Sequence, residues 1–161
     1  MFESNDFICV HFDKVKRRIK VKKENAMNEE TKPRILVIDD EESIRTWLKG
    51  LLVSLGCEVV GTAENGQEGV ELFKKERPDL VLLDLQMPVM TGDLALDYIM
   101  LEDPDARVVL LTSVTDPKHI FDRMMAGAQY YLRKDDPPDQ VRAVLQEQIE
   151  KLTPAPGDAS A

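Results

Sequence analysis

The sequence lacks the features that mark several other classes of protein. None of its apolar runs approaches the roughly 18 residues that a membrane-spanning helix needs. Its two cysteines, Cys9 and Cys57, lie in dissimilar segments without the spacing of metal ligands, and they form no cluster with histidine. No cleavable secretory leader is recognisable. We therefore expect a soluble protein without a membrane span that works in a reducing cytoplasm.

Positive charge is scarce outside the N-terminal segment. Residues 1–26 hold seven basic and four acidic side chains, whereas residues 27–161 hold 14 basic and 26 acidic ones, a net charge of −12. This acidic body argues against direct binding of nucleic acid. Seven basic side chains fall within residues 14–23, and we interpret residues 1–32 as a poorly ordered basic extension. Two alternatives are a basic arm that contacts nucleic acid, lipid or an acidic partner, and a translation start at Met27.

Short apolar runs alternate with helical patterns from Arg34 onward. The runs predict five strands, at residues 35–38, 57–60, 80–83, 108–111 and 130–132. Each run is followed by a helical pattern, the clearest of which places apolar residues on one face from Ile44 to Leu55. Five such βα units imply an α/β protein with a doubly wound, five-stranded parallel sheet and helices on both faces. We assign this domain to residues 33–152 and treat residues 153–161 as a tail.

Acidic residues stand at the ends of two of the apolar runs. Asp39 and Asp40 follow the first run, and Asp84 follows the third. Ligands of parallel sheets bind at the carboxyl ends of the strands, so these acids should converge on one cleft. Three unpaired carboxylates about 4 Å apart would repel by roughly 4 kcal/mol per pair at an effective dielectric constant of about 20. A divalent cation, above all magnesium, is therefore expected between them.

Two other strand ends carry different chemical groups. Thr112 follows the fourth apolar run, and Lys134 comes two residues after the fifth. With these residues in place, the chain resembles the receiver domain of bacterial two-component response regulators. The resemblance rests on four segments: Ile38-Asp39-Asp40, Asp84-Leu85-Gln86-Met87-Pro88, Leu111-Thr112-Ser113 and Tyr131-Leu132-Arg133-Lys134. The resemblance is specific because the four segments have the order and spacing of the family, although no segment is specific alone. It implies a flavodoxin-like strand order of 2-1-3-4-5.

By this resemblance, three acids and one backbone carbonyl form a magnesium site. Asp84 would be the nucleophile that accepts a phosphoryl group and becomes an aspartyl phosphate, and it would also face the metal. Asp40 would bind Mg²⁺ directly, and Asp39 would bind it largely through water. The backbone carbonyl of Gln86 would complete the set of oxygen ligands that the protein supplies.

The resemblance also assigns residues that detect the phosphoryl group. Lys134 would place its ammonium on the phosphoryl oxygens, and the Thr112 hydroxyl would donate a hydrogen bond to them. Tyr131 would turn inward when Thr112 is engaged, which changes the surface of the fourth helix, the fifth strand and the fifth helix. Receivers usually have proline after the lysine, but this chain has Asp135. We expect a trans peptide bond before Asp135, because a non-proline cis bond costs about 2.5–4 kcal/mol. We also expect the negative charge of Asp135 to compete with the phosphoryl group for Lys134.

The same acids admit simpler or different interpretations. Acids after a strand favour the positive end of the next helix, and we assign that role alone to Glu41 and Glu42. A phosphohydrolase with an aspartyl-phosphate intermediate is another candidate, whose pattern has a second Asp two positions after the nucleophile. Two positions after Asp39 this chain has Glu41. Two positions after Asp84 it has Gln86, so we set this class below a receiver.

The nine residues after the last predicted helix show neither an apolar core nor periodicity. We therefore expect no output domain. A histidine kinase or a phosphotransfer protein would supply the phosphoryl group, and the signal would leave through an unknown downstream protein, as in single-domain regulators of chemotaxis or phosphorelays. Such a receiver is no enzyme beyond its own phosphorylation and dephosphorylation, and dimerisation on phosphorylation stays open. A degenerate receiver that binds partners without phosphorylation is the alternative.

Overall fold

The computed structural model describes residues 31–152. Within that range the chain forms alternating strands and helices, five of each. The strands are β1 (Arg34–Ile38), β2 (Glu58–Ala63), β3 (Leu80–Leu83), β4 (Val108–Thr112) and β5 (Tyr130–Arg133). The helices are α1 (Glu42–Ser54), α2 (Gly66–Glu76), α3 (Gly92–Glu102), α4 (Pro117–Met125) and α5 (Pro138–Glu150). The predictions for residues 1–30 and 153–161 lie outside the described residues.

The strands of this region form one parallel sheet in the order β2-β1-β3-β4-β5, which confirms the predicted fold class. The chain moves from β1 outward to β2 and then returns to the other side of β1 to form β3. The order therefore reverses between β1 and β3, and ligands of such sheets bind at that point. The bounds of β2 were predicted too early and too short, because Gly61 and Thr62 interrupt the apolar run of this edge strand.

The sheet separates two apolar cores. Along β1, Ile35 and Val37 face one side while Leu36 and Ile38 face the other, as the period of two in a strand requires. The first pair packs with buried residues of α1 and α5: Leu48, Leu52, Val141, Leu145 and Ile149. The second pair packs with buried residues of α2 and α3: Val70, Phe73, Ala95, Leu96 and Ile99. Helices thus cover both faces, as predicted.

Helix α4 buries less of its surface than the other helices of this region. It begins at Pro117 after Asp116, whose side chain accepts a hydrogen bond from the backbone N–H of Lys118 at 3.2 Å. No side chain in α4, all of which lies within the described residues, is buried. Met124 is partly buried against the core that contains α2 and α3, whereas Phe121 and Met125 are 60% and 73% exposed. None of the helices in residues 31–152 has the length and apolar content needed to cross a membrane.

Candidate functional site

Two acids extend adjacent strands at the point where the strand order reverses. Ile38 of β1 is paired with Leu83 of β3, so the next residue of each strand, Asp39 or Asp84, lies at the same level of the sheet. The Asp84 N–H donates to the Ile38 carbonyl at 2.9 Å, which holds the two strand ends together. Asp39 and Asp84 are each only 2% exposed. The fold therefore brings two buried carboxylates to one edge of the sheet.

Lys134 joins these acids from the loop after β5. Its Nζ lies 2.9 Å from Asp39 Oδ2, 3.0 Å from Asp84 Oδ2 and 2.7 Å from Glu41 Oε1. The backbone N–H of Lys134 donates to the Thr112 carbonyl at 3.1 Å, which ties this loop to the end of β4. One ammonium thus faces three carboxylates, so the site has an excess of negative charge.

Burial first, and this charge imbalance second, set the pKa values of the two acids. Burial raises the pKa of Asp84 to about 6 and repulsion from Asp39 adds to the rise, whereas hydrogen bonds from Lys134 and the Gln86 N–H oppose it. Burial also raises the pKa of Asp39. Burial alone would lower the pKa of Lys134, but its hydrogen bonds with Glu41, Asp39 and Asp84 outweigh that effect and raise it. Lys134 is therefore charged at neutral pH, and the acids lack sufficient compensating positive charge.

The acids beside β1 have the chemistry and spacing of a magnesium site. Carboxylate oxygens of Asp39, Asp40 and Glu41 lie within 4.8 Å of one another. Asp39 Oδ2 is buried and makes no hydrogen bond of normal geometry, although Lys134 Nζ lies at ion-pair distance. An all-oxygen donor set with excess negative charge is what Mg²⁺ prefers, so these residues fit that ion. Of the four predicted ligands, Asp39, Asp40 and Asp84 lie around this edge of the sheet.

Gln86, the fourth predicted ligand, lies in the loop that follows β3. Its side chain is exposed, and its backbone N–H donates to Asp84 Oδ1 at 3.2 Å. That bond orients the Asp84 carboxylate. Coordination by the Gln86 carbonyl stays a prediction.

The start of α3 packs directly against the backbone of Asp84. A methyl group added to Gly92 would lie 1.9 Å from the Asp84 carbonyl oxygen and 2.6 Å from the Leu85 Cα. The Gly92 N–H donates to the Leu85 carbonyl at 2.9 Å. Within the same loop Val89 has a φ of 67°, a conformation that a β-branched residue rarely adopts. Glycine at position 92 is therefore what allows the loop to return closely under Asp84.

Thr112 and Tyr131, the predicted switch residues, are linked through Val114. The Thr112 hydroxyl oxygen accepts a hydrogen bond from the Val114 N–H at 3.2 Å. The Tyr131 hydroxyl donates to the Val114 carbonyl at 3.0 Å, and its ring packs partly buried against the core on the α2 and α3 face. Since the Thr112 hydroxyl is engaged as an acceptor, its own proton is available for a further acceptor. The structure thus connects the end of β4 to an aromatic residue in β5.

The structure corrects the expectation that Asp135 competes for Lys134. Asp135 instead forms a two-pronged ion pair with Arg133, with Nε and Nη2 donating to its two carboxylate oxygens at 2.8 and 2.5 Å. The planar guanidinium fork, two residues earlier in the loop, matches both oxygens at once. As expected, the peptide bond before Asp135 is trans. The Asp135 carboxylate is therefore paired with Arg133 rather than with Lys134.

The ion pair between Glu41 and Lys134 was not predicted from the sequence. It precedes α1 as the capping residue, but its side chain makes no capping hydrogen bond and reaches Lys134 instead. A helix-capping role explained the acid sufficiently, so nothing suggested a second one. Residue types alone gave no signal for this contact, because the chain bends at Asp40 between Asp39 and Glu41 and the bend decides where the Glu41 side chain points. Glu41 has an extended backbone, with φ −86° and ψ 112°.

The fold and the site together define a doubly wound α/β domain with an acidic pocket, closed by a lysine, at the switch point of its sheet. Sequence comparison with protein families identifies the same region. Residues 35–146 match the family of response regulator receiver domains. The chain belongs to the response regulator receiver domain family.

Relatives of this chain include chemotaxis proteins. CheY of Bacillus subtilis (strain 168) is 39% identical over 108 residues, which cover 67% of this chain and 90% of CheY. The response regulator domain of Thermotoga maritima CheB has a TM-score of 0.68 and 31% identity, over 75% of this chain and 96% of that domain. A chain of the CheX-CheY-BeF3-Mg+2 complex from Borrelia burgdorferi has a TM-score of 0.68 and 26% identity, over 75% of this chain and 90% of that chain.

Proposed function

We propose that this chain is a response regulator whose receiver domain, residues 33–152, accepts a phosphoryl group on Asp84 from a histidine kinase or a phosphotransfer protein. The observation that carries this proposal is the position of Lys134, whose Nζ lies 2.9 Å from Asp39 and 3.0 Å from Asp84. A charged ammonium at that distance from a buried carboxylate suits a nucleophile that must gain a dianionic group. The similarity to CheY proteins supports the same conclusion.

In the transfer step, an Asp84 oxygen forms a bond to phosphorus while the bond from phosphorus to the donor nitrogen breaks. The electron pair of that bond stays on the donor histidine, which then takes up a proton. Bound Mg²⁺, held by Asp39 and Asp40 with Asp84 and the Gln86 carbonyl, would neutralise charge on the phosphoryl oxygens. The chain itself holds Asp84 at a buried strand end, so the nucleophile is fixed in position before the donor arrives.

Lys134 and Thr112 then bind the transferred group. The Lys134 ammonium offers three donors, and the Thr112 hydroxyl has a proton free to donate. Charge-assisted hydrogen bonds contribute roughly 1.5–3 kcal/mol each. Two of them approach the roughly 5.5 kcal/mol that moves a two-state equilibrium from 1:99 to 99:1. The energy available at the site is therefore adequate for a conformational switch.

The signal would leave through the surface formed by α4, β5 and α5. A movement of Thr112 toward the phosphoryl group would break its bond with Val114, whose carbonyl also binds Tyr131. Tyr131 could then turn inward and change the exposed surface beside the less buried α4. We infer a protein partner for this surface, and the related chain from a CheX-CheY-BeF3-Mg+2 complex supports that inference. A cytoplasmic location is part of the proposal, and the buried free thiol of Cys57 is compatible with it.

Intact-protein mass after incubation with magnesium and acetyl phosphate tests the proposal. Wild type should gain one phosphoryl group, about 80 Da, and Asp84→Asn should gain none. Asp97→Asn, which changes an exposed acid on α3 in the same way, should gain it as wild type does. No gain in wild type, even with a phosphorylated histidine-kinase donor, would overturn the proposal in favour of a phosphorylation-independent interaction module.

A further inference from the structure

Glu41 makes the shortest of the three ion pairs that hold Lys134, at 2.7 Å against 2.9 Å for Asp39 and 3.0 Å for Asp84. Its backbone is held on both sides. The Glu41 N–H donates to Asp39 Oδ1 at 2.8 Å, and its carbonyl accepts from the Arg45 N–H at 3.1 Å. The side chain is free of any capping bond. The direction of this acid toward Lys134 is therefore set by the turn between β1 and α1.

The three partners of Lys134 differ in how easily they release it. Asp39 and Asp84 are buried, so a carboxylate left without the ammonium would lack solvent to replace it. The Glu41 side chain is 53% exposed and can be solvated when the contact breaks. Glu41 and Lys134 also line a pocket of about 390 Å³, which gives the glutamate room to withdraw. Glu41 is thus the partner that can give up the ammonium at the smallest cost.

We propose that Glu41 is a positioning residue for phosphoryl transfer, which holds Lys134 before the reaction and competes with the phosphoryl group for it afterwards. This inference rests on the proposed function of Asp84. An ammonium has three donors, and all three are directed to carboxylates in this arrangement. A phosphoryl oxygen on Asp84 must take one of them, and Glu41 is the partner displaced. The competition that the sequence suggested for Asp135 therefore comes from Glu41.

The reaction with acetyl phosphate measures this competition. An Asp84 oxygen bonds to phosphorus as the bond from phosphorus to the acetate oxygen breaks, and acetate leaves with the electron pair. In Glu41→Gln the side chain keeps its size but loses its charge, so Lys134 is freer to bind the incoming group. Phosphorylation at saturating magnesium should be about two- to fivefold faster than in wild type, the range of an exposed ion pair. Loss of the phosphoryl group should slow by a similar factor, because Lys134 stays on it longer.

Two further variants separate the contact from the charge. Glu42→Gln removes a neighbouring exposed acid of α1 that lies outside this ion-pair group, and it should react as wild type does. Glu41→Asp keeps the charge beside the acids of the pocket but is one methylene too short for the contact. It should therefore react like Glu41→Gln if the contact matters. A Glu41→Asp variant that behaves as wild type would overturn the inference, because charge alone would then suffice.

A spectroscopic measurement on the unphosphorylated protein provides the second readout. The side-chain NMR signal of Lys134, assigned with Lys134→Arg, should shift in Glu41→Gln and Glu41→Asp but not in Glu42→Gln. Equal reaction rates in wild type and Glu41→Gln, with wild type fully phosphorylated, would overturn the inference and leave the proposed function intact. A wild type that takes up no phosphoryl group would instead overturn the proposed function, and the role of Glu41 with it.

Discussion

The two sides of the sheet's carboxyl edge are built differently. At β1 and β3, buried acids continue the strands, and Gly92 of α3 packs on the backbone of Asp84 without space for a methyl group. At β4 and β5, the neighbouring helix α4 buries none of its side chains, all of which lie within the described range. The first side is closely packed around the proposed nucleophile, and the second is less buried at the surface that we propose to change.

The hydrogen bonds of Val114 connect β4 with β5 within the second side. Its N–H is bonded to Thr112 at the end of β4, and its carbonyl is bonded to Tyr131 in β5. Lys134 connects this side with the first, since its side chain reaches Asp84 while its backbone N–H donates to the Thr112 carbonyl. A change at Asp84 can thus reach the second side through contacts no longer than ordinary hydrogen bonds.

The largest effect is expected where the first side is most crowded. Gly92→Ala places a methyl group 1.9 Å from the Asp84 carbonyl oxygen, and because backbone atoms cannot rotate away, the loop must shift. We expect a loss of more than about 3 kcal/mol in the free energy of unfolding and no phosphorylation of Asp84. Urea denaturation and intact mass measure the two effects.

Gly50→Ala is the matched control for that substitution. Gly50 lies in α1, and a methyl group added there meets nothing within 4 Å. The change should therefore stabilise the protein by about 0.5–1 kcal/mol, since alanine is the better helix former. If Gly92→Ala behaved as Gly50→Ala does, the close packing under Asp84 would have no consequence and the contrast between the two sides would fail.

The next effect compares the two helices directly. Leu96 of α3 is fully buried, so Leu96→Ala should lower the free energy of unfolding by about 2–5 kcal/mol through lost burial and a cavity. Phe121 of α4 is mostly exposed, and Phe121→Ala should cost less than about 1 kcal/mol. Urea denaturation of the two variants gives both values. Equal losses would show that α4 is anchored as firmly as α3.

A smaller effect should appear in the pH dependence of stability without magnesium. The pKa of Asp84 is about 6 in the folded protein against an ordinary value of 3.8. Between those pH values the folded protein therefore binds more protons than the unfolded protein does. Stability should therefore fall as pH rises from about 4 to about 6. Asp84→Asn should remove this part of the decline and be more stable at pH 7 by about 3 kcal/mol, since one pKa unit corresponds to about 1.4 kcal/mol.

Asp122→Asn on α4 is the control for the second side. Asp122 is exposed, so its loss should change stability by less than about 0.5 kcal/mol at any pH in this range. Denaturation at pH 4, 5, 6 and 7 in the presence of a chelator measures both variants. A wild-type decline that persists unchanged in Asp84→Asn would show that Asp84 carries no electrostatic cost.

Most of the fold followed from the sequence because buried parallel strands leave continuous apolar runs. The runs at β3 and β4 therefore marked Asp84 and Thr112 as strand ends. The edge strand β2 carries Gly61 and Thr62, so its apolar signal stops early and its bounds were wrong. The ion pairs between loop residues could not be predicted from the sequence either, because the geometry of each turn decides which acid contacts which base.

Two acids illustrate that limit. Asp135 follows Lys134 directly, yet the loop turns it toward Arg133. Glu41 is 93 residues away from Lys134 along the chain, yet the turn after β1 brings the two side chains together. Closeness along the sequence therefore suggested the wrong competitor for Lys134, because the path of the backbone decides which acid reaches it.

Hydrogen–deuterium exchange before and after phosphorylation tests the central claim most directly. Wild type with magnesium and acetyl phosphate is compared with Asp84→Asn, and intact mass reports the extent of modification. The account predicts altered exchange in residues 112–134, unchanged exchange in α3, and no change anywhere in Asp84→Asn. Full phosphorylation of wild type without any change in residues 112–134 would contradict it, because the first side would then have no connection to the second.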